Sequence, residues 1–82
     1  MKNEIRAILA AHGKLPVAID TLADDADLYR AGLTSFASVQ VMLALEEAFD
    51  IEFPEQFLNR RTFSSIAAMD AAVGQLAASV AA

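Results

Sequence analysis

Residues 27–36 read DLYRAGLTSF and lead directly into an apolar segment with helical periodicity. Gly32 allows a tight turn, Thr34 is a residue type that caps helices, and Ser35 follows as the first helical residue. In that position the Ser35 hydroxyl is expected to be exposed at the positive end of the helix dipole, where free backbone N–H groups also favour negative charge. The stretch therefore predicts that Ser35 is either an attachment point for an anionic group, such as a phosphodiester, or an ordinary residue at a helix start.

The segment that follows is predicted to be a helix from about Ser35 to Phe49. Its apolar residues form a stripe wider than a surface helix needs, which indicates packing against more than one neighbour. The helix should end at Asp50, and residues 51–54 should be extended, since the residue before a proline avoids helical angles. The apolar stripe that we expect to face the core comprises Phe36, Val39, Met42, Leu43, Leu45 and Phe49.

Three further helices are predicted around this one. The first covers residues 2–12, and a short one covers residues 54–58, with Pro54 in its first turn. A last helix should begin after a cap at Thr62 or Ser64. No segment reads as a strand, so residues 1–82 are expected to form one all-α domain, a small bundle of three longer helices and one short helix. Four aromatic residues should lie in its core or at its edge: Phe36, Phe49, Phe53 and Phe63.

A long first loop is expected over residues 13–33. Its apolar residues are spaced to reach the core repeatedly, while Asp20, Asp24, Asp25 and Asp27 are expected to remain in water. These carboxylates lack the alternating ligands, central glycine and terminal glutamate of a calcium loop. We therefore interpret them as a solvated acidic surface.

Composition excludes several classes of function. The 82 residues contain no cysteine and carry a net charge of −5, which argues against disulfides, thiolate chemistry and nucleic-acid binding. No run approaches the roughly 20 apolar residues of a membrane span, and Glu4 lies where a signal peptide would be apolar, so a cytoplasmic location is expected. His12 is alone, and no group of side chains suggests a metal site or acid–base catalysis. The chain is therefore predicted not to be an enzyme by itself.

The combination of residues 27–36, the Leu-Glu-Glu-x-Phe helix end at 45–49 and the Ile-Glu-Phe-Pro exit at 51–54 resembles the acyl carrier proteins. The similarity extends over essentially the whole chain in length, helix placement and apolar pattern. It implies an acyl-carrier-protein fold in which Ser35 is esterified with 4′-phosphopantetheine. The terminal thiol of that arm would hold a cargo as a thioester, and a phosphopantetheinyl transferase would attach the arm.

The chain departs from the fatty-acid carriers at the start of the second long helix. Thr34 replaces an aspartate, Phe36 replaces a leucine, and Ala37 and Gln40 occupy positions that are often acidic in those carriers. Charges at the rim of an interface mainly direct encounter and partner choice. The departures therefore imply partners that do not read an acidic helix.

A narrower resemblance links residues 32–43, the exit at 49–54 and residues 58–63 to the bacterial aminoacyl carrier proteins. These are loaded by amino acid:carrier protein ligases that are related to class II seryl-tRNA synthetases, typically with glycine or alanine. The resemblance implies such a ligase and an unidentified acceptor enzyme as partners of a monomer that binds neither nucleic acid nor membrane. The residues expected to contact partners are Thr34, Phe36, Ala37, Gln40, Asn59, Arg60 and Arg61.

Two alternatives remain open from the sequence. The chain could be a carrier for fatty-acid or polyketide-type synthesis, which would accept malonate readily. It could also be an unmodified helical adaptor, which a phosphopantetheinyl transferase would leave unchanged in mass. For Arg60 and Arg61, a solvated turn that aids solubility is as reasonable an interpretation as a docking role.

Overall fold

The computed structural model describes the backbone of residues 1–81 and the side-chain surroundings of residues 1–77. Within that range the chain is helical, with no strand. Three single 3₁₀ turns, at Ile19–Thr21, Glu55–Phe57 and Arg61–Phe63, lie in the connections between the α-helices. The all-α prediction is confirmed. The α-helices are α1 (Lys2–His12), α2 (Leu28–Ala31), α3 (Ser35–Phe49) and α4 (Ile66–Ala81).

The predicted bounds of α1 and α3 are confirmed. Asp50 ends α3 in the left-handed region, at φ 53°, and its N–H donates to the Glu46 carbonyl. The Glu46 carboxylate in turn accepts the Phe53 N–H at 2.9 Å, which fixes the extended segment against the helix that it leaves. Glu46 thus contributes to the end of α3 through its carbonyl and to the path of the following segment through its carboxylate.

The short helix is not where the sequence predicted it. Residues 54–58 contain only the 3₁₀ turn at Glu55–Phe57, whereas α2 lies inside the segment expected to be a loop. Four residues are too few to show a helical period. Instead, α2 depends on its ends, since the Asp27 carboxylate accepts the Tyr29 and Arg30 N–H groups at 3.0 and 3.3 Å.

The predicted cap of α4 is also wrong by position. Ser65 is the capping residue, because its Oγ accepts the Ala68 N–H at 3.0 Å. Thr62 lies inside the preceding 3₁₀ turn, and the Ser64 hydroxyl donates to the Arg61 carbonyl at 2.7 Å. Because Thr62, Ser64 and Ser65 lie within four positions and are all good capping types, residue type alone did not identify the cap.

The buried face of α3 differs from the predicted stripe and shares only Leu45 with it. Ala37, Val41 and Leu45 are buried, at spacings of four residues that bring all three to the side facing α1 and α4. Phe36, Val39 and Leu43 are 68%, 47% and 50% exposed, so their assignment to the core is wrong. The remaining buried apolar residues are Ile5, Leu9, Leu28, Leu33, Ile51, Phe53, Phe63, Ile66, Met69, Ala72 and Val73.

The four phenylalanines expected near the core divide between buried and exposed positions. Phe53 and Phe63 are buried and meet edge to face, with ring centroids 5.4 Å apart. Phe49 is half-buried and packs against the same core. Phe36 is the exception, because 68% of its surface is exposed.

The first loop is held by polar contacts that the sequence interpretation missed. Asp24 is not simply solvated: it lies 2.6 Å from the Arg6 guanidinium and 3.5 Å from the Lys2 ammonium. The hydrogen bond from Arg6 lowers the pKa of the Asp24 carboxyl. The Ala67 N–H donates to the Asp24 carbonyl at 2.8 Å, and the Leu28 N–H to the Ser64 carbonyl at 2.8 Å. These contacts join the loop to α1 and α4, and they fix the segment that leads into Ser35.

Candidate functional site

Ser35 is placed at the start of α3 by a capped turn. The Thr34 hydroxyl accepts the Ala37 N–H at 3.0 Å, so the cap is Thr34, as predicted, and Ser35 is the first helical residue. Gly32 precedes the cap at φ 123°, where a side chain would be strained, and a Cβ there would come within 2.6 Å of Pro16. The turn into Ser35 therefore requires glycine on two grounds.

The Ser35 hydroxyl differs from that of the next serine along the helix. Ser35 is exposed, and within the described residues its hydroxyl makes no hydrogen bond. The Ser38 hydroxyl, one turn later, is less exposed and donates to the Ser35 carbonyl at 2.7 Å. Of the two, only the Ser35 hydroxyl is both accessible and unengaged.

A surface groove of about 420 Å³ opens beside Ser35. One wall belongs to α3 and the opposite wall to the segment between the last two 3₁₀ turns, with α2 contributing at one side. Its lining combines apolar side chains with a few hydroxyl, amide and guanidinium groups. The lining residues are Tyr29, Ser35, Ser38, Val39, Met42, Leu58, Asn59, Arg60 and Phe63.

The wall opposite α3 is organised by Asn59. Its Oδ1 accepts both the Thr62 N–H, at 3.0 Å, and the Thr62 hydroxyl, at 3.1 Å, while its Nδ2 donates to the Gln56 carbonyl at 3.0 Å. Next to it, the Arg60 guanidinium lies 4.0 Å from the centre of the Tyr29 ring, a cation–π distance. At an exposed site such a contact stabilises by about 0.5–1 kcal/mol. It connects the wall to α2.

The predicted partner-contact residues do not all share a surface. Thr34 and Phe36 are exposed at the start of α3, and Gln40 is half-buried. Ala37 is 2% exposed and lies in the core, so its assignment to an outward face is wrong. The physical reason is that Ala37 is four residues before Val41 and shares its inward direction.

The three polar residues of the opposite wall have different surroundings. Asn59, Arg60 and Arg61 are all exposed. Asn59 is engaged within its own turn, as described above, and Arg60 is stacked on Tyr29. Arg61 does not line the groove. The sequence analysis thus treated these three residues as one candidate docking segment, whereas in the fold their side chains have different contacts.

Sequence reasoning missed most of the groove. Val39 and Met42 were assigned to the core, although both line the groove, and nothing singled out Leu58 or Ser38. Tyr29 had one available signal, since it lies within the stretch that leads to Ser35. The remaining groove residues come from segments about 20 residues apart along the chain, and only the fold brings them together.

Two absences apply to the part of the chain that the structure describes. None of its helices combines the length and the apolar character needed to cross a membrane. No three histidine, cysteine or acidic side chains among the described residues are grouped in a way that could hold a metal ion.

The residues around Ser35 fit a covalently attached 4′-phosphopantetheine. The group needs an accessible hydroxyl, and Ser35 supplies one. Its phosphodiester would lie at the N-terminus of a 15-residue helix, where the dipole favours an anion. The adjacent groove offers both apolar walls and polar groups to an arm that contains amides and methylenes.

Comparison with known proteins gives the same picture. Residues 3–69 match the family model described as "Phosphopantetheine attachment site". The "Aminoacyl carrier protein" of Agrobacterium fabrum is 63% identical over 70 residues, which cover 85% of this chain and 84% of that protein.

Solved structures match over similar lengths. One is the crystal structure of an engineered Bradyrhizobium japonicum glycine:[carrier protein] ligase complexed with a carrier protein from Agrobacterium tumefaciens and AMP. The match has a TM-score of 0.88 and 61% identity, over 90% of this chain and 99% of the matched chain.

A second match is the Bradyrhizobium japonicum glycine:[carrier protein] ligase complexed with glycylated carrier protein, with a TM-score of 0.74 and 25% identity. It covers 87% of this chain and 95% of the matched one. With the family model and the curated relative, these matches show that the chain belongs to the carrier proteins that bear 4′-phosphopantetheine, and within them to the aminoacyl carrier proteins.

Proposed function

We propose that this protein holds a small amino acid, glycine or alanine, as a thioester on a 4′-phosphopantetheine arm attached to Ser35. The observation that carries the proposal is the free, exposed Ser35 hydroxyl on a capped turn, in a chain 63% identical to an aminoacyl carrier protein. When attached, 4′-phosphopantetheine supplies the thiol that bears the amino acid. The chain's own contribution is to present the hydroxyl, favour the anion and offer surfaces to its enzymes.

The turn around Ser35 supports that role through rigidity. Thr34 occupies the capping task, so the Ser35 hydroxyl is not needed for helix stability. Gly32 and Pro16 fix the approach of the chain, and Asp27 holds the preceding turn. A transferase would therefore meet an accessible hydroxyl on a backbone that is fixed before binding.

A glycine:carrier protein ligase is the partner that the proposal assigns to the outer face of α3. A 61%-identical carrier forms a complex with such a ligase, and a loading enzyme must reach the arm on Ser35. From Ser35 to Leu45, α3 carries no charged residue, and Phe36, Val39 and Leu43 are exposed there. Docking through this face would be apolar, and Thr34, Gln40 and the 59–61 segment would lie at its rim.

The cargo is proposed to remain outside the bundle. Burying an amino acid's ammonium group without a partner is costly. The core positions of α3, Ala37, Val41 and Leu45, are filled by well-packed side chains. The groove beside Ser35, by contrast, opens to the surface and could receive an arm without unpacking the core.

The remaining features of the proposal follow from its class. Residues 1–82 act as a single carrier domain that works as a monomer in the cytoplasm and has no catalytic activity of its own. A phosphopantetheinyl transferase and an acceptor enzyme act before and after the ligase. Neither nucleic acid nor a membrane is a partner.

The proposal is tested by loading the phosphopantetheinylated protein in two parallel reactions. With a glycine:carrier protein ligase, ATP and glycine, we expect a thioester that hydroxylamine releases. With a fatty-acid malonyl transferase we expect poor loading, because the outer face of α3 lacks the acidic residues that such enzymes read. Malonate loading as efficient as that of a fatty-acid carrier would instead favour the fatty-acyl alternative, and absence of any modification would favour the adaptor.

A variant pair sharpens the docking part of this test. Phe36→Ala removes the most exposed apolar side chain next to the attachment site, whereas Val17→Ala removes an exposed apolar side chain of the first loop, outside the groove. We expect glycine loading to slow for Phe36→Ala and to remain unchanged for Val17→Ala. Equal rates for both variants would remove Phe36 from the docking surface.

A further inference from the structure

The groove beside Ser35 contains a single charge, and that charge is positive. Of its nine lining residues only Arg60 is ionised, although the chain as a whole carries a net charge of −5. A lone cation in an otherwise uncharged groove that Ser35 also lines is electrostatically matched to a phosphodiester on that serine. The placement is informative because acids outnumber bases by eleven to six in this chain.

Arg60 is held in a way that leaves its hydrogen-bond donors available. Its guanidinium lies over the Tyr29 ring at 4.0 Å. The N–H groups of a guanidinium point outward in its own plane, so a ring against its face does not consume them. The ion pairs within the described residues involve the N-terminus, Lys2 and Arg6, and none involves Arg60.

The backbone that carries Arg60 is also fixed. Asn59 binds Thr62 on one side and the Gln56 carbonyl on the other, so the turn is closed around the residue just before Arg60. A planar donor on a fixed turn, already stacked on Tyr29, has less conformational freedom to lose on binding than a free arginine.

We propose that Arg60 is a positioning residue for the phosphodiester on Ser35, which it holds against the groove by hydrogen bonds from the guanidinium while that group stays stacked on Tyr29. This inference rests on the proposed attachment at Ser35. Arginine suits the task because its planar fork matches two phosphate oxygens. The consequence is an arm that leaves Ser35 in a preferred direction along the groove.

The adjacent arginine provides a matched control. Arg61 has the same charge and is exposed, but it does not line the groove. Arg60→Gln and Arg61→Gln therefore change the net charge equally, but only Arg60→Gln removes the cation of the groove, together with its contact with Tyr29. Arg60→Lys keeps the charge and loses the planar fork.

The experiment uses the full chain before and after phosphopantetheinylation, with intact mass confirming the modification. The first readout is the side-chain Nε–H resonance of Arg60 in the wild type, which we expect to shift on modification while that of Arg61 does not. The second is the ³¹P resonance of the arm. It should move toward that of the same phosphodiester on the denatured protein in Arg60→Gln, remain in place in Arg61→Gln, and return in part in Arg60→Lys.

The size of the Arg60 effect is expressed as the ratio of groove-bound to free arm, and its electrostatic origin is tested with salt. An exposed ion pair of this kind changes the ratio of bound to free arm by about two- to fivefold. Raising the ionic strength to about 1 M shortens the screening length to about 3 Å, so the wild-type ³¹P signal should then approach that of Arg60→Gln. Core amide resonances at Val41 and Leu45 should be the same in all variants, which separates this role from a structural one.

The outcomes distinguish the inference from the function on which it rests. Failure to modify Ser35 at all would overturn both. A modified protein whose Arg60 Nε–H and ³¹P resonances are insensitive to modification and to Arg60→Gln would overturn the inference alone and leave the carrier function intact. Equal ³¹P shifts for Arg60→Gln and Arg61→Gln, or a lysine variant that behaves like the glutamine variant, would also contradict it.

Discussion

The inner and outer faces of α3 both carry apolar side chains, but those of the inner face are buried and those of the outer face are exposed. On the inner face Ala37, Val41 and Leu45 are between 0 and 2% exposed. On the outer face Phe36 and Leu43 are 68% and 50% exposed, and the larger of the two lies directly after Ser35. The smaller side chains thus build the core at the start of the helix, while the larger one remains in solvent.

When a helix is apolar over more of its surface than its neighbours cover, its uncovered apolar residues indicate a role besides forming the core. Contiguous exposed apolar residues on a small protein mark interaction sites. The outer face borders both Ser35 and the groove. Substitutions on the inner face should therefore change the free energy of unfolding much more than substitutions on the outer face.

The largest difference is expected between two leucines two residues apart. Leu45→Ala removes a fully buried side chain and should lower the free energy of unfolding by about 2–5 kcal/mol. Leu43→Ala removes a half-exposed one and should change it by about 0.5 kcal/mol or less. Denaturant unfolding of both variants measures the contrast. Similar losses would mean that the outer face is packed after all.

A second contrast places a negative charge on each face. Ala37→Asp buries a carboxylate, and although the helix N-terminus offsets part of the penalty, we expect a net loss on the order of 2 kcal/mol. Gln40→Glu places its charge on a half-buried position with access to water and should change stability by about 0.5 kcal/mol or less. Thermal unfolding at neutral pH compares them. A tolerated Ala37→Asp would show that the start of α3 is less tightly packed than its exposure indicates.

The smallest effect concerns the pH dependence of stability in the first loop. Because the pKa of Asp24 is lower in the folded protein than its ordinary value of 3.8, its contribution is present above that pH and is lost as the pH falls through the folded value. Asp24→Asn should therefore flatten the acid limb of the stability profile. Asp25→Asn is the control, since Asp25 forms no ion pair within the described residues. Identical acid limbs for the two variants would show that the Asp24 ion pair does not contribute to the pH dependence of stability.

The sequence predicted those parts of the fold that depend on local signals. The bounds of α1 and α3, the Thr34 cap and the exposure of Ser35 all follow from residue types at fixed offsets. Helix α2 could not be predicted from periodicity, because it is one turn long and is held by the Asp27 side chain. Its position is further fixed by the Leu28 hydrogen bond to the Ser64 carbonyl, a contact between distant segments.

The groove was less predictable than the attachment site for the same reason. Ser35 is marked by its immediate neighbours along the chain. Leu58 and Phe63 share the groove with Ser35 only through the packing of the 51–63 segment against α3. Apolar periodicity grouped the exposed Phe36, Val39 and Leu43 with the buried Leu45. It left out Ala37 and Val41, because periodicity does not report which side of a helix its neighbours cover.

Attachment of the arm to Ser35 is tested most directly by the intact mass of three proteins after treatment with a phosphopantetheinyl transferase and coenzyme A. The wild type and Ser38→Ala should each gain one phosphopantetheine arm, and Ser35→Ala should gain none. The helix content of Ser35→Ala should be unchanged, since Thr34 provides the cap. An arm on Ser35→Ala, or none on the wild type, would contradict the assignment of Ser35 as the attachment site.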